Sequence, residues 1–130
     1  GDFFSYSALL RDEHKISTSV SKREFQLAVE RASLLAREDR ANLIKLNVAE
    51  NYIDIKSNSE IGDVFEKVKT SEHDESLDIA FNSRYILDGV KILESDEIVL
   101  NFTDSVNPLI ITEKENDSYI YLVLPVRLAG

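Results

Sequence analysis

The chain has 130 residues and a net charge of −9, from 24 acidic and 15 basic side chains. This length suits one domain, and a hydrophobic fraction of 43% is enough to build a core. The absence of cysteine excludes disulfides, a thiolate nucleophile and a cysteine-ligated zinc site. The acidic balance argues against a surface that holds nucleic acid by charge alone, although it leaves room for a small basic face.

The two ends of the chain predict a piece of a longer protein. The chain starts at Gly1 and contains no methionine. Residues 1–14 are aromatic and then polar without a period, so we expect a linker from an upstream domain, followed by a single domain over residues 15–130. No apolar run reaches the length of a membrane span and no signal peptide opens the chain, which favours a cytoplasmic address without membrane contact.

The first predicted helix begins at a capping box. The Ser21 hydroxyl can accept from the Glu24 N–H, and the Glu24 side chain can reach back to Ser21. Val20 and Phe25 stand at the two positions of a hydrophobic staple. Apolar residues then recur every three or four positions on one face, and we expect the helix to end near Glu38.

The remaining elements follow a repeated order. Alternating apolar residues predict strands around 44–48, 53–55 and 64–68, then 77–81, and after a second helix capped by Asn82 or Ser83, strands at 97–102, 109–114 and 119–127. The order is βαβββ twice, with the two helix starts about half a chain apart. It predicts an α+β fold of antiparallel sheets with both helices on one face.

Motifs of catalysis are missing from the chain. Its four glycines form no phosphate-binding loop, and no Gly-x-Ser-x-Gly elbow occurs. The two histidines, His14 and His73, lie in polar segments, where a solvated loop is a better interpretation than a metal cluster. The sequence therefore predicts a non-catalytic binding domain without a metal or cofactor.

Several separated segments together resemble one known family. They are residues 79–88 (IAFNSRYILD), 100–108 (LNFTDSVNP) and 119–128 (YIYLVLPVRL), preceded in the first half by residues 30–38 (ERASLLARE) and 3–6 (FFSY). In this order they resemble the C-terminal domain of the bacterial sliding clamp, the β subunit of the replicative DNA polymerase III. The resemblance covers nearly the whole chain and implies the sliding-clamp fold, in which each domain repeats βαβββ twice.

The resemblance also implies a function. Members of the family form a head-to-tail dimeric ring that encircles double-stranded DNA without sequence specificity and tethers the polymerase as a processivity factor, without catalysis. The polymerase III α subunit, the clamp loader and repair proteins dock on it through short peptides. As a fragment, this chain should be monomeric, and should bind such peptides weakly because the other wall of the groove belongs to the middle domain.

Three sets of site residues follow from the resemblance. The peptide-binding groove would contain Phe4, Leu9, Asn82, Tyr85, Val106, Leu122, Val123, Leu124, Pro125, Val126, Arg127 and Leu128. The dimer interface would contain Leu34, Leu35, Asp63 and Glu66. Cations facing DNA would be Lys22, Arg23, Arg31, Arg84 and Lys91.

The residues by themselves leave alternatives open. Alternation alone makes Leu122, Leu124 and Val126 ordinary core residues of one strand, and the basic residues solvated helix side chains. An unrelated α+β adaptor that uses the same C-terminal edge is the second hypothesis. A hydrolase built on surface carboxylates is the third, with little support.

Overall fold

The computed structural model describes residues 15–36, 42–59, 62–73, 75–114 and 120–127. These residues form two helices and two four-stranded sheets. In chain order the elements are β1 (Ile16–Ser21), α1 (Lys22–Ala36), β2 (Leu43–Val48), β3 (Tyr52–Ser59), β4 (Gly62–Lys69), β5 (Leu77–Asn82), α2 (Ser83–Ile92), β6 (Glu97–Phe102), β7 (Leu109–Glu113) and β8 (Ile120–Val123).

Each sheet takes strands from both halves of the chain. The first sheet has the order β1-β6-β7-β8 and the second β4-β3-β2-β5, and every neighbouring pair is antiparallel. The strand before each helix therefore pairs with the other half, since Ile16 lies opposite Phe102 and Leu77 opposite Val48. The predicted α+β fold with antiparallel sheets is confirmed, and this exchange of first strands adds to it.

The core lies between the sheets and the helices. Helix α1 packs on β2, β3, β4 and α2, while α2 contacts β5 and β8. Phe25, Phe81 and Phe102 are fully buried at its centre. Burying one such ring stabilises the fold by about 1.5–3 kcal/mol, so the apolar faces predicted from the spacing direct the packing.

The start of α1 agrees with the predicted cap. The Glu24 N–H donates to the Ser21 hydroxyl over 3.2 Å, and both staple residues, Val20 and Phe25, are buried. The helix is described to Ala36, and the predicted end near Glu38 lies outside the described residues.

Strand β1 was not located from the sequence: the predicted order requires a strand before α1, but no residues were assigned to it. Ile16, Thr18 and Val20 alternate inward with Ser17, Ser19 and Ser21 on the other face. Because the inward residue Thr18 is polar, only Ile16 and Val20 mark the apolar face, so the alternation of apolar and polar residues is weak in the sequence. Pairing with β6 forms the strand, because one face is then buried against the core.

No helix in the described part of the chain is long and apolar enough to cross a membrane.

Candidate peptide-binding groove

The C-terminal segment leaves one sheet and joins the other within a few residues. Strand β8 ends at Val123, and Val126 then forms an antiparallel bridge with Ala80, donating its N–H to the Ala80 carbonyl over 2.8 Å. Pro125 has no N–H and cannot continue the β8 ladder. The strand predicted over residues 119–127 is therefore wrong beyond Val123, because the chain changes sheet there.

The apolar side chains differ in exposure where the C-terminal segment changes sheet. Val123 is 1% exposed and belongs to the core, whereas Leu124 is 57% exposed. Leu122 and Val126 are half-buried, and Arg127 is exposed. The interpretation of Leu124 as a core residue is wrong, since the alternation of β8 turns Val123 toward the core and leaves the next residue, Leu124, on the opposite face. Val123, predicted as a groove residue, therefore lies in the core beneath this exposed segment.

The first turn of α2 lies beside this segment. Asn82 caps the helix, with its Oδ1 accepting from the Arg84 N–H over 2.9 Å. Tyr85 follows within one turn and is 57% exposed. The bridge between Ala80 and Val126 is antiparallel, so Leu124, two residues before Val126, lies toward Asn82, two residues after Ala80. Leu124 and the start of α2 therefore flank one surface.

The loop between β6 and β7 supplies Val106, which is 48% exposed. Asp104 holds this loop, with one carboxylate oxygen accepting from the N–H groups of Val106 and Asn107 over 2.9 and 2.8 Å. The other oxygen accepts from the Asn107 side chain over 2.8 Å. The sequence predicted a turn at Asp104 and Ser105, but the role of Asp104 in orienting Val106 was missed. The spacing Asp-x-x-Asn, with an acceptor ahead of two free N–H groups, is the signal that indicates it.

The charge of Asp104 strengthens this turn. Burial acts to raise its pKa, but the hydrogen bonds from Val106 and Asn107, helped by Lys15, hold the pKa below its usual value. A carboxyl group with a lowered pKa in the folded state adds stability above its unfolded pKa of about 3.9. That contribution is lost as the pH falls through the folded pKa.

Asp104→Ala should therefore loosen the Val106 loop. We expect a loss of about 1 kcal/mol in stability at neutral pH, because three hydrogen bonds to a charged group disappear. In the unchanged chain the Val106 amide resonance should keep its position on acidification until the pH is below about 4. Thermal denaturation and an NMR pH titration measure the two effects, and Asp88→Ala, at an exposed position on α2, is the control. A Val106 resonance that moves near pH 6 would contradict this role.

A cavity of about 650 Å³ lies beside the C-terminal segment. Val106, Val126 and Arg127 line it together with residues of β2 to β5. Tyr85 and Leu124 are not among the described residues that line this cavity. The predicted groove residues therefore divide into the surface by α2 and this cavity, with Val106 and the C-terminal segment between them. Phe4, Leu9 and Leu128 lie outside the described residues.

The residues predicted for the dimer interface lie near the edge strand β4. Leu34 is 60% exposed on α1, which packs on β4. Glu66 of β4 is half-buried and accepts from the Arg31 guanidinium, with Nε 2.9 Å and a terminal nitrogen 2.8 Å from its Oε1. The side chains of Leu35 and Asp63 lie outside the described part of the structure.

The cations predicted to face DNA differ in their surroundings. Lys22 is half-buried and donates to the Leu93 carbonyl at the end of α2, and Arg31 is engaged by Glu66. Arg23, Arg84 and Lys91 are exposed, and within the described ranges none of them has a salt bridge. These last three are the cations best placed to meet an external phosphate.

The buried carboxylate of Glu113 has a structural role. Glu113 accepts from the N–H groups of Ser95 and Glu94 over 2.7 and 3.2 Å, which closes the turn between α2 and β6. Hydrogen bonds from Ser95 are the main reason that the pKa of Glu113 is lowered. Among the residues described, no group of three or more histidine or carboxylate side chains could hold a metal ion. The carboxylate therefore holds a turn.

Known proteins share this arrangement. The family model described as the DNA polymerase III beta subunit, C-terminal domain, matches residues 7–127. The beta sliding clamp of Bacillus subtilis is 40% identical over 98% of this chain and 34% of its own length. A crystal structure of the DNA polymerase III beta subunit of Thermotoga maritima has a TM-score of 0.88 and 32% identity, covering 99% of this chain and 35% of that one.

A third relative carries a ligand. A sliding clamp from Bartonella birtlesii, bound to griselimycin, has a TM-score of 0.84 and 30% identity over 98% of this chain and 35% of that chain. The described fold has two antiparallel sheets that exchange their first strands, two helices, and an exposed C-terminal segment that passes from one sheet to the other. Together with these likenesses, it defines a sliding-clamp domain. The chain belongs to the family of C-terminal domains of the DNA polymerase III beta subunit. It spans about a third of the length of the curated relatives that it matches.

Proposed function

We propose that this sliding-clamp domain docks short peptides of replication and repair proteins on its C-terminal edge. The partners would be the polymerase III α subunit, the clamp loader and other proteins with a clamp-binding motif. The domain serves in the cytoplasm as a non-catalytic part of a processivity factor. Its relatives are sliding clamps, which agrees with a role in tethering rather than in chemistry.

One observation carries this proposal: apolar side chains stay exposed where the C-terminal segment changes sheet. Tyr85, Val106 and Leu124 are each about half exposed, although a soluble domain usually buries residues of this size. Arg127 and the Asn82 amide add polar groups nearby. Apolar anchor pockets with a few directional polar groups are typical of peptide-binding sites. Griselimycin on the Bartonella clamp supports the family's capacity to hold a ligand.

A titration with a peptide that carries a Gln-Leu-x-Leu-Phe-like motif tests the docking. At millimolar peptide we expect NMR shifts at Tyr85, Val106, Leu122 and Arg127. Tyr85→Ala should weaken binding by roughly tenfold or more, because an aromatic anchor contact is lost. Ile92→Ala, which removes another exposed apolar side chain from the same helix, is the matched control. Absent shifts, or equal losses in the two variants, would contradict the proposal.

The second part of the proposal is ring closure around DNA. The α1 end with Leu34 and the edge strand β4 would meet the next subunit, giving a head-to-tail dimer. Arg23, Arg84 and Lys91 would then contact phosphates loosely, without reading sequence, and more weakly at high salt. Encirclement requires the closed ring, so this part depends on dimer formation and fails with it.

A further inference from the structure

A row of side chains crosses the outer face of the second sheet and ends at the proposed groove. The strand registers join the residues of the row in pairs, one from each neighbouring strand. From the edge inward they are Phe65, Lys56, Lys45, Ala80 and Val126. All five line the 650 Å³ cavity, which makes this face continuous with Val106 and Arg127.

Two lysines lie directly opposite one another in the middle of the row. Lys45 of β2 pairs with Lys56 of β3, and both are exposed. Directly opposed residues have Cβ atoms about 4.5–5.5 Å apart, and like charges in that position are destabilising. In the described part of the chain neither lysine takes part in a salt bridge. The pair therefore concentrates positive charge that a bound anion would relieve.

The charged residues around the two lysines determine the net charge of this face. Arg127 adds a third cation to the cavity lining. Two carboxylates, Asp54 and Asp78, lie one row away, and Asp78 is engaged by the Asn47 side chain over 2.6 Å. Counted over the described residues, the lining has one more cation than carboxylates, in a chain whose net charge is −9. Phe65, 61% exposed, provides an apolar surface at the outer end of the row.

We infer that this face binds acidic residues flanking the docking motif of a partner peptide. The inference rests on the proposed peptide docking and extends it: the apolar anchors occupy the surface by Tyr85 and Leu124, and a flanking aspartate or glutamate crosses the C-terminal segment to reach Lys45 and Lys56. Val106, Val126 and Arg127 join the two surfaces. The domain would then select motifs by the charge beside them as well as by their anchors.

Labelled peptides that differ only in their flanks test the inference on the 130-residue chain. One set carries three glutamates on the amino side or the carboxyl side of the Gln-Leu-x-Leu-Phe-like motif, and a matched set carries glutamines. In fluorescence anisotropy at low salt, one acidic peptide should bind about fivefold tighter than its glutamine partner, as expected for two exposed ion pairs. Lys45→Gln with Lys56→Gln should abolish this advantage and leave the glutamine peptides unchanged.

The control variant replaces two exposed lysines away from the row, Lys69→Gln with Lys114→Gln, and should keep the advantage. The inference is overturned if acidic and glutamine peptides bind equally, or if both lysine variants lose the same amount. It is also overturned if deleting residues 128–130 moves the Lys45 and Lys56 resonances without peptide, since the chain's own end would then occupy the face. If the glutamine peptides do not bind the unchanged chain at all, the proposed docking itself fails.

Discussion

A clamp subunit that carries Leu34→Ala is expected to sediment as a monomer at concentrations where the unchanged subunit forms a dimeric ring. Leu34 is 60% exposed, and its helix packs against β4, the outermost strand of the second sheet among the described residues. An edge strand beside an exposed leucine is a surface suited to pairing with another chain. Burying a leucine there would stabilise one interface by about 1.5–3 kcal/mol.

The geometry of a ring multiplies this effect. Two subunits joined head to tail have two equal interfaces, so the change removes the contact twice. The ring should lose about 3–6 kcal/mol, which is more than about a hundredfold in the dimer dissociation constant. Leu27→Ala, earlier on the same helix and also exposed, should leave the dimer intact. Sedimentation velocity on both variants measures this, and an unchanged dimer with Leu34→Ala would contradict the proposed interface.

Gly89→Ala is expected to destabilise the domain by about 1–3 kcal/mol. A Cβ atom at Gly89 would lie 2.0 Å from Cδ2 of the Tyr121 ring and 2.7 Å from its Cγ. Alanine normally favours a helix over glycine by about 1 kcal/mol, so the expected sign is opposite to the propensity. The overlap decides it, because Cγ is the base of the ring and can move away only if the ring leaves its packed χ1 rotamer or β8 shifts.

A second variant separates the overlap from other effects. In a Tyr121→Ala background the ring is gone, and adding Gly89→Ala should then raise stability by about 1 kcal/mol. Chemical denaturation of the unchanged chain, the two single variants and the double variant gives the effect of Gly89→Ala on stability with and without the Tyr121 ring. An increase in the melting temperature for Gly89→Ala alone would show that α2 and β8 are not held by this contact. Because β8 leads into the proposed groove, peptide affinity should fall together with stability.

Local patterns in the chain predict much of the fold. The capping box at Ser21, the helix cap at Asn82 and the alternation of β2, β3 and β6 each depend on residues close in sequence. These patterns give every element of the order βαβββ twice except β1, and the resemblance in residues 79–88, 100–108 and 119–128 correctly indicates the family. Short-range periodicity is sufficient where one face of an element is buried.

The misses involve residues whose setting depends on distant parts of the chain. The alternation of residues 119–127 has the pattern of one strand, yet Val126 pairs with Ala80 in the other sheet. The ion pair between Arg31 and Glu66, 35 residues apart, was not predicted from the sequence. The charged face at Lys45 and Lys56 arises only from the register between β2 and β3. No local pattern contains these contacts.

The exchange of first strands has a consequence for synthesis of the domain. Ile16 of β1 pairs with Phe102 of β6, so the first sheet cannot begin to close until most of the domain has left the ribosome. The second sheet likewise lacks its last strand until β5 has emerged. A nascent chain thus holds β1 without its partner strand until β6 has emerged, whereas α1 can already pack on β2, β3 and β4. The two halves then complete one another as a single cooperative unit.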